Sequence, residues 1–130
     1  MATFSKTALS DLANKIVIDL DVDTTAEVDV TTSTGSVYMV EIDATAGAAT
    51  TAEPGVYVKF IDADSSVTGG GGSGSTPDMV LYAPLGQKTT YIISAGWAFG
   101  TGLSLWAVTT APVAGDTSPT ADIKVTILTT

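Results

Sequence analysis

The chain has 130 residues with no cysteine and no histidine, which suits one domain and excludes disulfides, thiolate chemistry, imidazole metal ligands and histidine-activated nucleophiles. Its 14 carboxylates against 5 basic residues give a formal charge of -9, which repels nucleic acid and leaves nothing from which to build a basic groove. No apolar run approaches the length of a membrane span.

Residues 1–14 hold one lysine and no long apolar stretch, which reads as an N-terminal arm or short helix and not as a secretory signal; Leu9 and Leu12 are three apart. Helix formers are scarce in the rest of the chain. Threonine, valine, isoleucine and aromatic residues recur in short runs between Gly, Pro, Ser and Asp clusters, the pattern of strands and turns. Over residues 15–23, Ile16, Ile18, Leu20 and Val22 alternate with Asp19, Asp21 and Asp23, which predicts a strand with an apolar inner and a charged outer face. Val28 and Val30 alternate with Glu27 and Asp29 over residues 26–31. With Asp23-Thr24-Thr25 as the turn, the two runs read as a hairpin.

A third strand is predicted over residues 36–43, where Tyr38, Val40 and Ile42 oppose Glu41 and Asp43. A fourth over residues 56–62 aligns Val56, Val58 and Phe60. The segment 65–77, dominated by Gly69 to Gly74, reads as a mobile surface loop because glycine carries the largest backbone entropy. Further strands are expected over 78–85, 88–94 and 103–109, the last with both faces buried. The loop 112–120 holds two prolines, and the final strand over 122–128 opposes Ile123, Val125 and Ile127 to Asp122, Lys124 and Thr126. The expectation is an all-β domain over residues 15–130, with about eight antiparallel strands in a two-sheet sandwich or jelly-roll-like barrel.

The motifs with chemical content are few. Asp19, Asp21 and Asp23 are spaced like the opening of a calcium loop and form the one candidate metal face. Counted from Asp19, however, Thr24 stands where the loop needs glycine and Val30 where it needs glutamate, so a solvated strand face is the simpler reading. The glycine run lacks the lysine and hydroxyl residue of a phosphate-binding loop. Trp97, Trp106, Tyr57, Tyr82 and Tyr91 are candidates for a sugar-stacking platform, or for core packing. Glu41 and Asp43 have the residue type of a glycosidase pair but nothing that singles them out. No catalytic residue and no cofactor is assigned, and the chain reads as a binding or building protein.

Four stretches carry a resemblance: Val56-Tyr57-Val58-Lys59-Phe60-Ile61-Asp62-Ala63, Pro77-Asp78-Met79-Val80-Leu81-Tyr82-Ala83-Pro84, Gly96-Trp97-Ala98-Phe99-Gly100-Thr101-Gly102-Leu103-Ser104-Leu105-Trp106, and Gly115-Asp116-Thr117-Ser118-Pro119-Thr120. In this cadence the chain resembles small virion proteins of tailed bacteriophages, including phages of cyanobacteria and marine bacteria. The glycine run departs from the short linker of that group. The resemblance implies a capsid decoration or cement protein, made in the host cytoplasm and carried on the outer capsid surface. Its implied partner is the major capsid protein. The aromatic and aliphatic content read from the residues themselves points to self-association as a homotrimer or other homo-oligomer, and the charge and the lack of a long apolar run point to no nucleic acid and no membrane. Phe4, Leu9 and Leu12 of the arm, with Trp97, Phe99 and Trp106, are the candidate partner contacts. A neck or tail component and a carbohydrate- or receptor-binding module are the alternatives.

Overall fold

The computed structural model describes residues 15–31, 34–69, 74–110 and 115–130. Within them the chain forms seven strands and no helix: β1 (Lys15–Asp19), β2 (Gly35–Asp43), β3 (Gly55–Asp62), β4 (Met79–Pro84), β5 (Lys88–Phe99), β6 (Leu103–Val108) and β7 (Lys124–Thr129). They make two antiparallel sheets of order β1-β7-β2-β5 and β4-β3-β6, neither closed into a barrel. The architecture is that of a sandwich. Its core is one cluster drawn from both sheets: Val37, Val40, Ile42, Val125 and Ile127 from the first, and Val56, Val58, Phe60, Leu103, Leu105 and Ala107 from the second. Each fully buried aliphatic side chain in such a layer contributes about 1.5–3 kcal/mol relative to exposure.

The alternation read in the sequence holds for β3 and β7, whose inward positions are Val56, Val58 and Phe60, and Val125 and Ile127. It fails at the start of the chain in two ways. The expected hairpin over residues 15–31 does not form. β1 pairs with β7 instead, and residues 23–30 run along the free side of β6 in the other sheet. There the Glu27 N–H donates to Leu105 O at 2.8 Å, Leu105 N–H returns a bond to Glu27 O at 3.0 Å, and Ala107 N–H reaches Asp23 O at 2.7 Å. Asp29, at φ 56, interrupts the extension, so this eighth run amounts to a single bridge.

The second failure is one of facing. The β1–β7 register sets Ile16 opposite Leu128, Val17 opposite Ile127 and Ile18 opposite Thr126. Directly opposed residues share a face. Val17 therefore turns toward the core with Ile127, and the isoleucines expected inside stand outside. Val22 alone of that apolar set is buried, held where its N–H donates to Ile123 O at 2.9 Å.

β5 is longer than expected and absorbs the Gly-Trp segment. Between the pairs Met39–Ile92 and Val37–Trp97, β5 carries residues 93–96 where β2 carries Tyr38 alone. Gly96 closes this bulge at φ +75, with space for a Cβ only 2.9 Å from the Tyr38 ring. The described ends of the glycine-rich loop are held: Ser75 N–H donates to Thr68 O at 2.9 Å and Thr68 N–H to Ser75 Oγ at 3.0 Å. Gly69 backs so closely onto Thr24 O that a Cβ would lie 1.8 Å from it. Phe4, Leu9 and Leu12 of the expected arm lie outside the described residues.

Candidate functional site

The outer faces of the two sheets differ in what covers them. On the second sheet, β6 is buried along its whole length, as its two-sided apolar sequence predicts. Its outward Trp106 stands opposite Lys59 of β3, and both are fully buried. The Lys59 ammonium lies 5.9 Å from the Trp106 ring centre and donates to Gly115 O at 3.2 Å. Burial lowers its pKa, and the Asp116 carboxylate partly offsets that. The chain beyond β6 folds back over this face, fixed by the bond from Thr109 N–H to Thr117 O at 2.9 Å.

The first sheet carries an open apolar row. Ile16 faces Leu128, Leu128 faces Met39, and Met39 faces Ile92, so the row crosses all four strands on the outside. Ile16 is 65% and Ile92 70% exposed; Leu128 and Met39 are half-buried between them. Ile18 at 59% and Leu20 at 61% widen the row toward the β1 edge. Two positions on, Thr126, Glu41 and Thr90 bound it, and four positions on comes a charged row, where Lys124 and Lys88 flank Asp43 from either side. Lys88 Nζ lies 3.7 Å from the Asp43 carboxylate. The Thr45 hydroxyl and N–H, then Lys88, hold that carboxyl below its usual range, which is the reverse of what a proton donor needs. Leu20, Asp43, Thr45, Ala46, Asp122 and Lys124 line a shallow depression at this end.

The residues singled out in the sequence fall elsewhere. Trp106 at 0% and Phe99 at 2% exposure have no surface to present to a partner, and Trp97 is half-buried, tilted on Phe99 with ring centres 6.4 Å apart. Tyr57 and Tyr82 pack on each other at 5.1 Å, and the Tyr91 hydroxyl is bonded to Tyr82 O. These contacts are those of packing rings, with Trp106 sealed from any sugar. The Asp19, Asp21 and Asp23 carboxylates do not converge. Asp19 Oδ1 accepts from Asp21 N–H at 3.2 Å and Asp23 Oδ1 from Thr25 N–H at 2.6 Å, so both serve local turns. Among the described residues no group of three or more carboxylates is placed to hold a metal ion.

Two other acidic residues are structural. Asp62 closes the β5–β6 turn by accepting from Gly100 N–H and Thr101 N–H at 2.8 Å and Gly102 N–H at 3.2 Å, bonds that lower its pKa. Asp29 anchors through its N–H to Ser104 Oγ at 2.9 Å, and its Oδ1 lies buried without a hydrogen bond among the described residues.

The apolar row itself was not singled out. Ile92 sits in Tyr91-Ile92-Ile93, and consecutive apolar residues on a strand must place one on each face, which is the signal that marks it. Among the described residues, fold and surface define an acidic two-sheet sandwich with an apolar row on the outer face of its first sheet. No family model matches the chain, and no curated protein and no solved structure matches it.

Proposed function

We propose that this chain is a structural binding protein of a phage particle, docking on the shell through the outer face of its first sheet and reinforcing contacts between shell subunits. One observation carries the reading: the row Ile16, Leu128, Met39 and Ile92 is contiguous and open on a chain whose charge of -9 otherwise keeps its surface wet. An exposed apolar row of this kind, bordered by Thr126, Glu41 and Thr90 and then by Lys124, Asp43 and Lys88, has the anatomy of a protein interface, apolar at its centre and polar at its rim. The acidic charge favours the outside of a particle over contact with packaged DNA. The resemblance to small virion proteins supplies the partner, and repetition over a symmetric shell turns a modest contact into avidity.

The test is the protein composition of purified particles, followed by rebinding of the purified chain to shells stripped of it. The reading expects a fixed simple ratio to the major shell protein, and loss of rebinding in the Ile92→Asp variant. A few copies per particle would point to the neck or tail, and absence from particles would overturn the reading.

A further inference from the structure

We propose that two copies of this chain pair edge to edge through β1, antiparallel about Val17, joining their first sheets into one continuous sheet. β1 ends the strand order of the first sheet and among the described strands is bonded to β7 alone. Every second residue of such a strand turns its backbone N–H and C=O away from its neighbour, which offers a template for a further strand.

The sequence of the strand, Lys15-Ile16-Val17-Ile18-Asp19, selects the occupant. Laid antiparallel on a second copy with Val17 opposite Val17, it sets Lys15 opposite the partner's Asp19 and Asp19 opposite the partner's Lys15. Ile16 then meets the partner's Ile18, and all five positions are matched. Sliding the pair by two residues, the smallest shift that keeps side chains on their faces, sets Lys15 or Asp19 against Val17. A parallel pairing would set lysine on lysine and aspartate on aspartate. The strand is therefore complementary to itself in one arrangement, the two-fold one, which is the symmetry of an isologous dimer.

Two features of the structure agree with this. Ile16 and Ile18 are 65% and 59% exposed, and pairing gathers four isoleucines, two from each copy, between the two Leu128 side chains. Asp19 is half-buried at this edge. Its pKa is raised, first by burial and then, against the Asp21 N–H bond, by the Asp21 and Asp23 carboxylates, and a lysine opposite is the complement such a carboxylate takes. The arrangement differs from the trimer expected from the sequence. It also sets both apolar rows on one side of the joined sheet.

The experiment is sedimentation equilibrium of the full chain, with circular dichroism of every variant to confirm the fold. The wild-type chain is expected to be a dimer across the micromolar range. Lys15→Asp and Asp19→Lys each turn two opposite-charge contacts per dimer into like-charge ones, and each is expected to weaken dimerisation roughly tenfold or more. The double variant restores the charge match and is expected to return affinity to near the wild-type level. A monomeric or trimeric wild-type chain overturns the proposal, as do single variants that dimerise normally or a double variant that is not rescued. The measurement needs no particles, and Ile92→Asp, chosen to fail on shells, is expected to stay dimeric. Failure of this pairing and failure of the shell reading are thereby distinct.

Discussion

The two sheets bury inner faces of the same kind and part company on the outside. On the second sheet Trp106, Lys59 and Ser104 face outward yet are fully buried, because residues beyond β6 return over them and residues 23–30 line the β6 edge. On the first sheet Ile16, Ile18 and Ile92 face outward and stay exposed, since no described segment crosses them. A buried lysine beneath one surface and bare isoleucines on the other reverse the usual distribution. What decides is where the connections run. The described connections lie over the second sheet and leave the outer face of the first open.

The sharpest way to break this contrast is Trp106→Ala, which empties a fully enclosed site and is expected to cost about 3–5 kcal/mol of unfolding free energy. Urea denaturation measures it, and a loss below 1 kcal/mol would mean that the covered face is looser than its burial indicates.

Next in size is Asp62→Ala, which strands the N–H groups of Gly100, Thr101 and Gly102 and is expected to cost about 1–2 kcal/mol at neutral pH. Because the folded pKa of Asp62 is lowered, its stabilisation is present above the unfolded value and is lost as pH falls through the folded one. The gap between wild type and variant should therefore close below about pH 4. A gap independent of pH would assign the effect to turn geometry alone.

Lys59→Met keeps the buried stem but removes the donor to Gly115 O, with an expected cost of about 1 kcal/mol at neutral pH. The folded pKa of Lys59 lies below its unfolded value, so the folded chain binds fewer protons between the two and wild-type stability gains as pH rises through that window. The difference between wild type and variant is expected to widen toward alkaline pH. Parallel stability curves would show the ammonium to be better hydrated than its surroundings indicate.

The smallest effect on the fold is expected on the open face. Ile92→Asp should change stability by no more than about 0.5 kcal/mol, as surface substitutions do, while abolishing attachment to shells. A large destabilisation would mean that the apolar row is part of this chain's own core.

Strand identity over β2, β3, β4, β6 and β7 was legible in the sequence within a residue or two, because period-two patterning and turn residues are local properties. The inner faces of β3 and β7 were legible for the same reason: Val56, Val58, Phe60, Val125 and Ile127 have one apolar side to bury. β1 shows the limit. Its alternation marks a strand but not a direction, since Ile16, Ile18 and Leu20 compete with Val17 for the core and only the pairing with β7 resolves which side faces in. The aromatic residues show it again, because Trp106 sits on an outward strand position and is buried by a segment more than eight residues away. By itself the sequence determined the all-β class, the acidic surface and the chemistry that cysteine and histidine would have supplied but do not. Tertiary structure alone decided which apolar face stays open, because exposure depends on strand pairing and loop paths between distant residues, and no local pattern encodes either.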